Sequence, residues 1–285
     1  MEAGGVDAVP NFTKDTTDRN RTSPFAFTGN KFEFRMPGSS LSISGPNFLL
    51  NTAVAEVLSQ FADELESKLG ENFDKEVYAL LRRTIKDHKR IIFNGNNYAD
   101  EWVEEAKRRG LSNHRSTPEA LPAFIQEKNL RLFEKHHILT KDEAYSRYEI
   151  NLDNYSKVIN IEAMTLLEMI RRSVLPAVSG YVHSLSDSVV AKKQACADAS
   201  CDMEETLIRR LSNQVSVLFR ETEELEQRVG RAKEMEDKQK QAECYRDSVL
   251  AQMDVIRGIA DDMEVYTPKE VWPFPTYGEL LFSIQ

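Results

Sequence analysis

Apolar residues recur along this chain at two periods, and the change from one to the other divides it. Between residues 31 and 36 they alternate: Phe32, Phe34 and Met36 are separated by Glu33 and Arg35, the two-residue period of a strand. The rest of residues 1–47 carries Gly, Pro, Ser, Thr and Asn at turn-forming density and reads as loop and strand. From Asn47 the period becomes helical, with Leu49, Leu50, Ala53, Val57, Phe61 and Leu65 in one stripe and Gly70 as a stop. Further helices are predicted to begin near Asn97, at Pro118 with Thr117 as N-cap, and at Lys141. The helical pattern continues with interruptions to about Gly180, and residues 158–174 are strongly apolar on one side, as in a buried helix.

The clearest pattern comes last. Leu207, Leu211, Val215, Leu218, Thr222, Leu225 and Val229 follow a spacing close to a coiled-coil seam. A charged stretch, KEMEDKQKQAE, interrupts it, and Ala242, Tyr245, Val249, Met253, Ile256, Ala260 and Met263 repeat it. Two long helices joined by a polar turn fold back as an antiparallel hairpin over about 202–264. This stretch holds 16 acids and 10 bases, so its outer faces are solvated and acidic, as befits a structural or oligomer-forming element. The tail, VWPFPTYGELLFSIQ, has two prolines that oppose helix and several aromatics that favour burial, so it is expected to dock back on the body.

Charge narrows the partners. Across 285 residues, 46 acidic and 37 basic side chains give a formal charge of -9, which repels nucleic-acid phosphates overall. No apolar run approaches the roughly 20 residues of a membrane span, and the first residues lack the basic start and apolar core of a signal peptide. A cytoplasmic location without membrane or nucleic-acid partners is expected. Cys196, Cys201 and Cys244 show no C-x-x-C spacing and read as reduced thiols. His136 and His137 are adjacent and would diverge on a helix, while His88, His114 and His183 are isolated, so all five read as ordinary surface or core residues.

Candidate chemistry gathers near the predicted strand. Alternation sends Phe32, Phe34 and Met36 toward an apolar core and leaves Lys31, Glu33 and Arg35 on the other face. A carboxylate between two cations suits a structural ion network, and equally a hard-metal ligand beside a phosphate-binding arginine. Upstream, Asp18, Arg19, Asn20 and Arg21 concentrate polar groups before Phe25 and Phe27.

The wording of this region, DRNRTSPFAFTGNKFEFR over residues 18–35, resembles the type III glutamine synthetases. Asn20-Arg21-Thr22 is similar to the family's N-R-S/T loop, Glu33-Phe34-Arg35 to its E-x-R strand, and Ser44-Gly45-Pro46-Asn47 to the turn that enters a helix. The acidic helical hairpin and the tail motif 273–278, PFPTYG, also resemble that subfamily. The resemblance implies a mainly α fold with a small β portion. Residues 1–160 would be the C-terminal part of a glutamine-synthetase-type α/β catalytic domain, with loop and strands over 1–47 and helices over 47–160. Residues 161–285 would be a helical extension containing the hairpin and the docked tail.

The implied activity is ATP-dependent formation of glutamine from glutamate and ammonia through glutamyl phosphate, with Mg2+ or Mn2+, in a homo-oligomer. Carried over position by position, Arg21 would contact the transferring phosphoryl group or the nucleotide phosphates, and Arg35 would hold the glutamyl phosphate. Glu33 would ligate the metal, while Arg19, Asn20 and Lys31 would add to the ATP and phosphate contacts. Asp7, in Gly5-Val6-Asp7-Ala8, stands nearest to the family's acidic flap residue. The type I pattern has another arginine five residues after the one matching Arg21; here that position is Ala26, and Lys31 is the candidate replacement. The family's other metal carboxylates, metal-binding histidine and ammonia site have no match here, so the chain alone is expected to be inactive. The strands, lacking the rest of a sheet, would favour aggregation or co-assembly. A competing reading makes the chain a non-catalytic interaction or oligomerisation module derived from that enzyme.

Overall fold

The computed structural model describes residues 25–27, 31–35, 38, 41–70, 72–93, 96, 99–275 and 277–282. In chain order its elements are β1 (Phe25–Phe27), β2 (Phe32–Phe34), α1 (Ser44–Glu66), α2 (Phe73–Asp87), α3 (Asp100–Arg108), α4 (Thr117–Phe124), α5 (Glu127–Lys135), α6 (Lys141–Met169), α7 (Leu175–Ala195), α8 (Asp202–Lys233), α9 (Lys238–Cys244), α10 (Ala251–Tyr266) and α11 (Tyr277–Phe282). The chain is thus mainly helical with a small β portion, as the sequence indicated. It divides into two compact units, residues 1–115 with 126–141, and residues 116–125 with 142–285.

In the first unit β1 and β2 form an antiparallel pair, with Phe25 opposite Phe34 and Phe27 opposite Phe32. α1 starts just where backbone N–H groups need no intrahelical partner, so Pro46 in its first turn loses no helical bond. Its burial differs from expectation. The stripe predicted to face a core leaves Leu49 and Val57 exposed, and the inward side instead carries Thr52, whose hydroxyl donates to Phe48 O. The reason lies in α5: Phe133 meets Phe48 edge-on at 6.3 Å, and Lys135 and His136 bond Glu56, so α5 covers the other side of α1.

α2 and α5 were not legible in the sequence as separate helices. Both are short and strongly charged, and bury only Leu80 (α2) and Leu130 with Phe133 (α5). α5 ends at the two histidines. His137 takes a left-handed φ of 54°, its N–H bonds Glu134 O, and the Ile138 N–H bonds Phe133 O. That paired backbone pattern closes the helix, and the His136 imidazole faces Glu56 of α1.

The second unit is a three-helix bundle. α6, a π turn (Ile170–Val174) and α7 run on as one helix, α8 returns alongside it, and α9, a π turn (Tyr245–Leu250) and α10 return along α8. Its core joins Ile159, Leu167, Ile170 and Val174 to Leu211, Leu218, Leu225 and Val229 and to Tyr245, Val249, Ile256 and Met263. The predicted hairpin therefore exists, and 158–174 supplies its third strut. Thr222 sits in the seam fully buried because its hydroxyl donates to Leu218 O of its own helix, leaving no polar group unpaired. Asp237 caps α9 by accepting from the Lys240 N–H. Pro176, just after the first π turn, has no N–H for the helical ladder, and a widened turn relieves its ring against the preceding carbonyls. The tail docks through Trp272, which joins the core and meets Phe274 edge-on at 6.3 Å. The short α11 beyond it leaves Leu281 and Phe282 exposed.

Candidate active site

Of the residues singled out in the sequence, Lys31, Glu33 and Arg35 are described; Asp7, Arg19, Asn20 and Arg21 lie outside the described residues. The strand alternation brings the three together. Arg35 donates to Glu33 Oε2 at 3.2 Å, and Lys31 Nζ stands 3.8 Å from Glu33 Oε1. Their side chains are 15% (Arg35), 35% (Glu33) and 67% (Lys31) exposed, so the carboxylate and the guanidinium form the closer, more sheltered pair and the ammonium is the outer charge. A planar guanidinium is the side chain that can fork onto two oxygens of an anion.

The other face departs from expectation. Phe32 is 58% exposed and stacks on Phe25 at 4.9 Å rather than entering a core.

A second charged cluster was invisible in the sequence. Glu56 accepts from Lys135 Nζ at 2.9 Å and Gln60 Nε2 at 2.8 Å, and its other oxygen lies 2.7 Å from His136 Nε2. The Lys135 ammonium, then Gln60 and His136, hold the Glu56 carboxyl down at about 2. Some 80 residues separate its members, so no local spacing could have announced it. It clamps α5 to α1 and is exposed to water, a structural ion cluster.

Glu33 supplies a hard, anionic oxygen suited to Mg2+ or Mn2+, and among the described residues no group of three or more His, Cys, Asp or Glu side chains assembles around it. It fits as one ligand of a divalent ion, with the remainder of the shell drawn from elsewhere.

Comparison with known proteins decides the affiliation. The family model of the glutamine synthetase C-terminal domain matches residues 76–193, from within α2 almost to the end of α7. The chain is 41% identical to a glutamine synthetase of Butyrivibrio fibrisolvens over 96% of its own length, and 35% identical to the type-3 glutamine synthetase of Dictyostelium discoideum over 98%. The chain belongs to the glutamine synthetase family. A Bacteroides fragilis glutamine synthetase is 32% identical over 98% of the chain. The chain spans about two fifths of the length of these curated relatives: 39%, 38% and 39% in turn. The resemblance to the C-terminal part of the type III enzymes holds. Family likeness continues through both units, so strand, helices and bundle are parts of one glutamine synthetase segment. No helix among the described residues is long and apolar enough to cross a membrane.

Proposed function

We propose that this chain is part of a cytoplasmic, ATP-dependent glutamate–ammonia ligase and contributes the phosphate-binding wall of its active site. The observation that carries this is the Arg35–Glu33 pair on one face of β2, within the segment whose wording resembles the family's catalytic strand. Arg35 orients and neutralises the glutamyl phosphate, and Arg21 with Arg19, Asn20 and Lys31 meets the nucleotide phosphates. Fixed cations suit a reaction that builds charge on phosphoryl oxygens, because they need no reorganisation as the charge develops. A divalent ion bound in part by Glu33 would supply further screening of those oxygens. Asp7 is the candidate acidic flap residue.

Because the chain covers about two fifths of its relatives, the remaining metal ligands and the ammonia site are assigned to sequence outside it, and the chain alone is inactive. The exposed Leu49 and Val57 of α1 support co-assembly with such a portion. The bundle of the second unit, closed by its own core, is the oligomer-forming element. The test is a chimera in which this chain replaces the matching segment of the Butyrivibrio fibrisolvens protein. It should form glutamine from glutamate, ammonia and ATP, and lose that activity with Arg35→Ala.

A further inference from the structure

In the second unit a groove of about 920 Å³ opens between α6 and α10. Its floor is apolar, formed by the π turn through Ile170 and Val174 and by Met253, and Trp272 and Phe274 of the docked tail wall it. Ile161, 63% exposed, and Met169, 37% exposed, leave apolar surface open inside it. The rim is of one sign: Glu162, Asp254, Asp261 and Glu264 against the single cation Arg257, which already faces Asp261 at 3.5 Å. A volume of this size lies at the upper end of small-molecule clefts, about 300–1,000 Å³. It is too small for a docked helix several turns long.

We propose that this groove is a binding site for a small organic cation with an apolar body, an alkyl- or arylalkyl-ammonium, whose hydrocarbon lies on Ile161, Met169 and Met253 and whose charge meets the acidic rim. The acidic rim disfavours a carboxylate-bearing amphiphile. The site lies outside the strand assigned to catalysis and is independent of that assignment.

The experiment titrates the full chain with n-octylammonium, n-octanoate and n-octanol below their aggregation concentrations. Heat of binding and Trp272 fluorescence are read, with Trp102→Phe removing the other tryptophan. Octylammonium should bind, octanol more weakly and octanoate not at all. Each methylene removed should weaken binding about threefold to fourfold. Asp254→Asn with Glu264→Gln should weaken octylammonium by about two- to fivefold per carboxylate and leave octanol unchanged. Ile161→Lys, at an exposed position that folding does not need, should abolish binding with an unchanged circular dichroism spectrum. Equal affinity for octanoate and octylammonium, binding that survives Ile161→Lys, or no binding of any of the three overturns the proposal.

Discussion

Arg35 donates to Glu33 one side-chain repeat earlier on β2, so an acid and a base that an extended strand must place on one face are already paired there. The pairing fixes the guanidinium beside the carboxylate, and on the proposed catalytic role the substitutions separate. Within an active chimera, Glu33→Ala and Arg35→Ala should each lower kcat by about 10²-fold or more. Arg35→Lys should not rescue, since an ammonium cannot fork onto two oxygens. Lys31→Ala, removing the outer and more exposed charge, should act mainly on the KM for ATP. Steady-state kinetics with unchanged thermal unfolding distinguishes these losses from misfolding.

The bundle predicts its own stability map. Leu218 and Leu225 are fully buried in the seam. Truncating either to alanine should cost about 2–5 kcal/mol, through lost transfer energy and the cavity left behind. Val255→Ala and Val265→Ala, on exposed positions of α10, should stay within about 0.5 kcal/mol. Urea unfolding followed through Trp272, which belongs to this unit's core, gives the comparison.

Ser156 offers the opposite sign. Its hydroxyl is buried on α6 with no hydrogen-bond partner. An unpaired buried hydroxyl is a cost, so Ser156→Ala should stabilise the second unit by about 1 kcal/mol in the same urea experiment.

The clamp on α1 responds to acid. Glu56, ordinarily near 4.5, is held at about 2, first by Lys135 and then by Gln60 and His136. A depressed carboxyl contributes stability that is complete above the unfolded value and disappears as the pH falls through the folded one. The first unit should therefore lose the α1–α5 clamp between about pH 4.5 and 2, seen as a falling unfolding midpoint by Trp102 fluorescence. Glu56→Gln should lower stability at pH 7 and flatten the profile over that acid window.

How legible each part was follows from the range of its interactions. The seam of α8 and α10 could be read because its period is a local property of each helix, and the Glu33–Arg35 pair because strand neighbours two apart must share a face. α2 and α5 could not be separated out: their burial rests on one or two residues within charged stretches. α1 was recognised as a helix but turned the wrong way, since which side is covered depends on α5 some 80 residues on. The stripe left exposed by that arrangement is itself informative, because it is the face a larger enzyme would cover. Glu56 with His136 and the groove beside Trp272 are wholly tertiary, and nothing in the local order of residues encodes them.

The most direct test of the central claim is a glutamine-forming assay with glutamate, ammonia, ATP and Mg2+. It is run on this chain alone, and on the chain mixed with the portion of the Butyrivibrio fibrisolvens enzyme that it does not match. The account predicts no glutamine from the chain alone and activity on mixing, abolished by Glu33→Ala or Arg35→Ala. Glutamine formation by the chain alone, or activity on mixing that survives both substitutions, would contradict it.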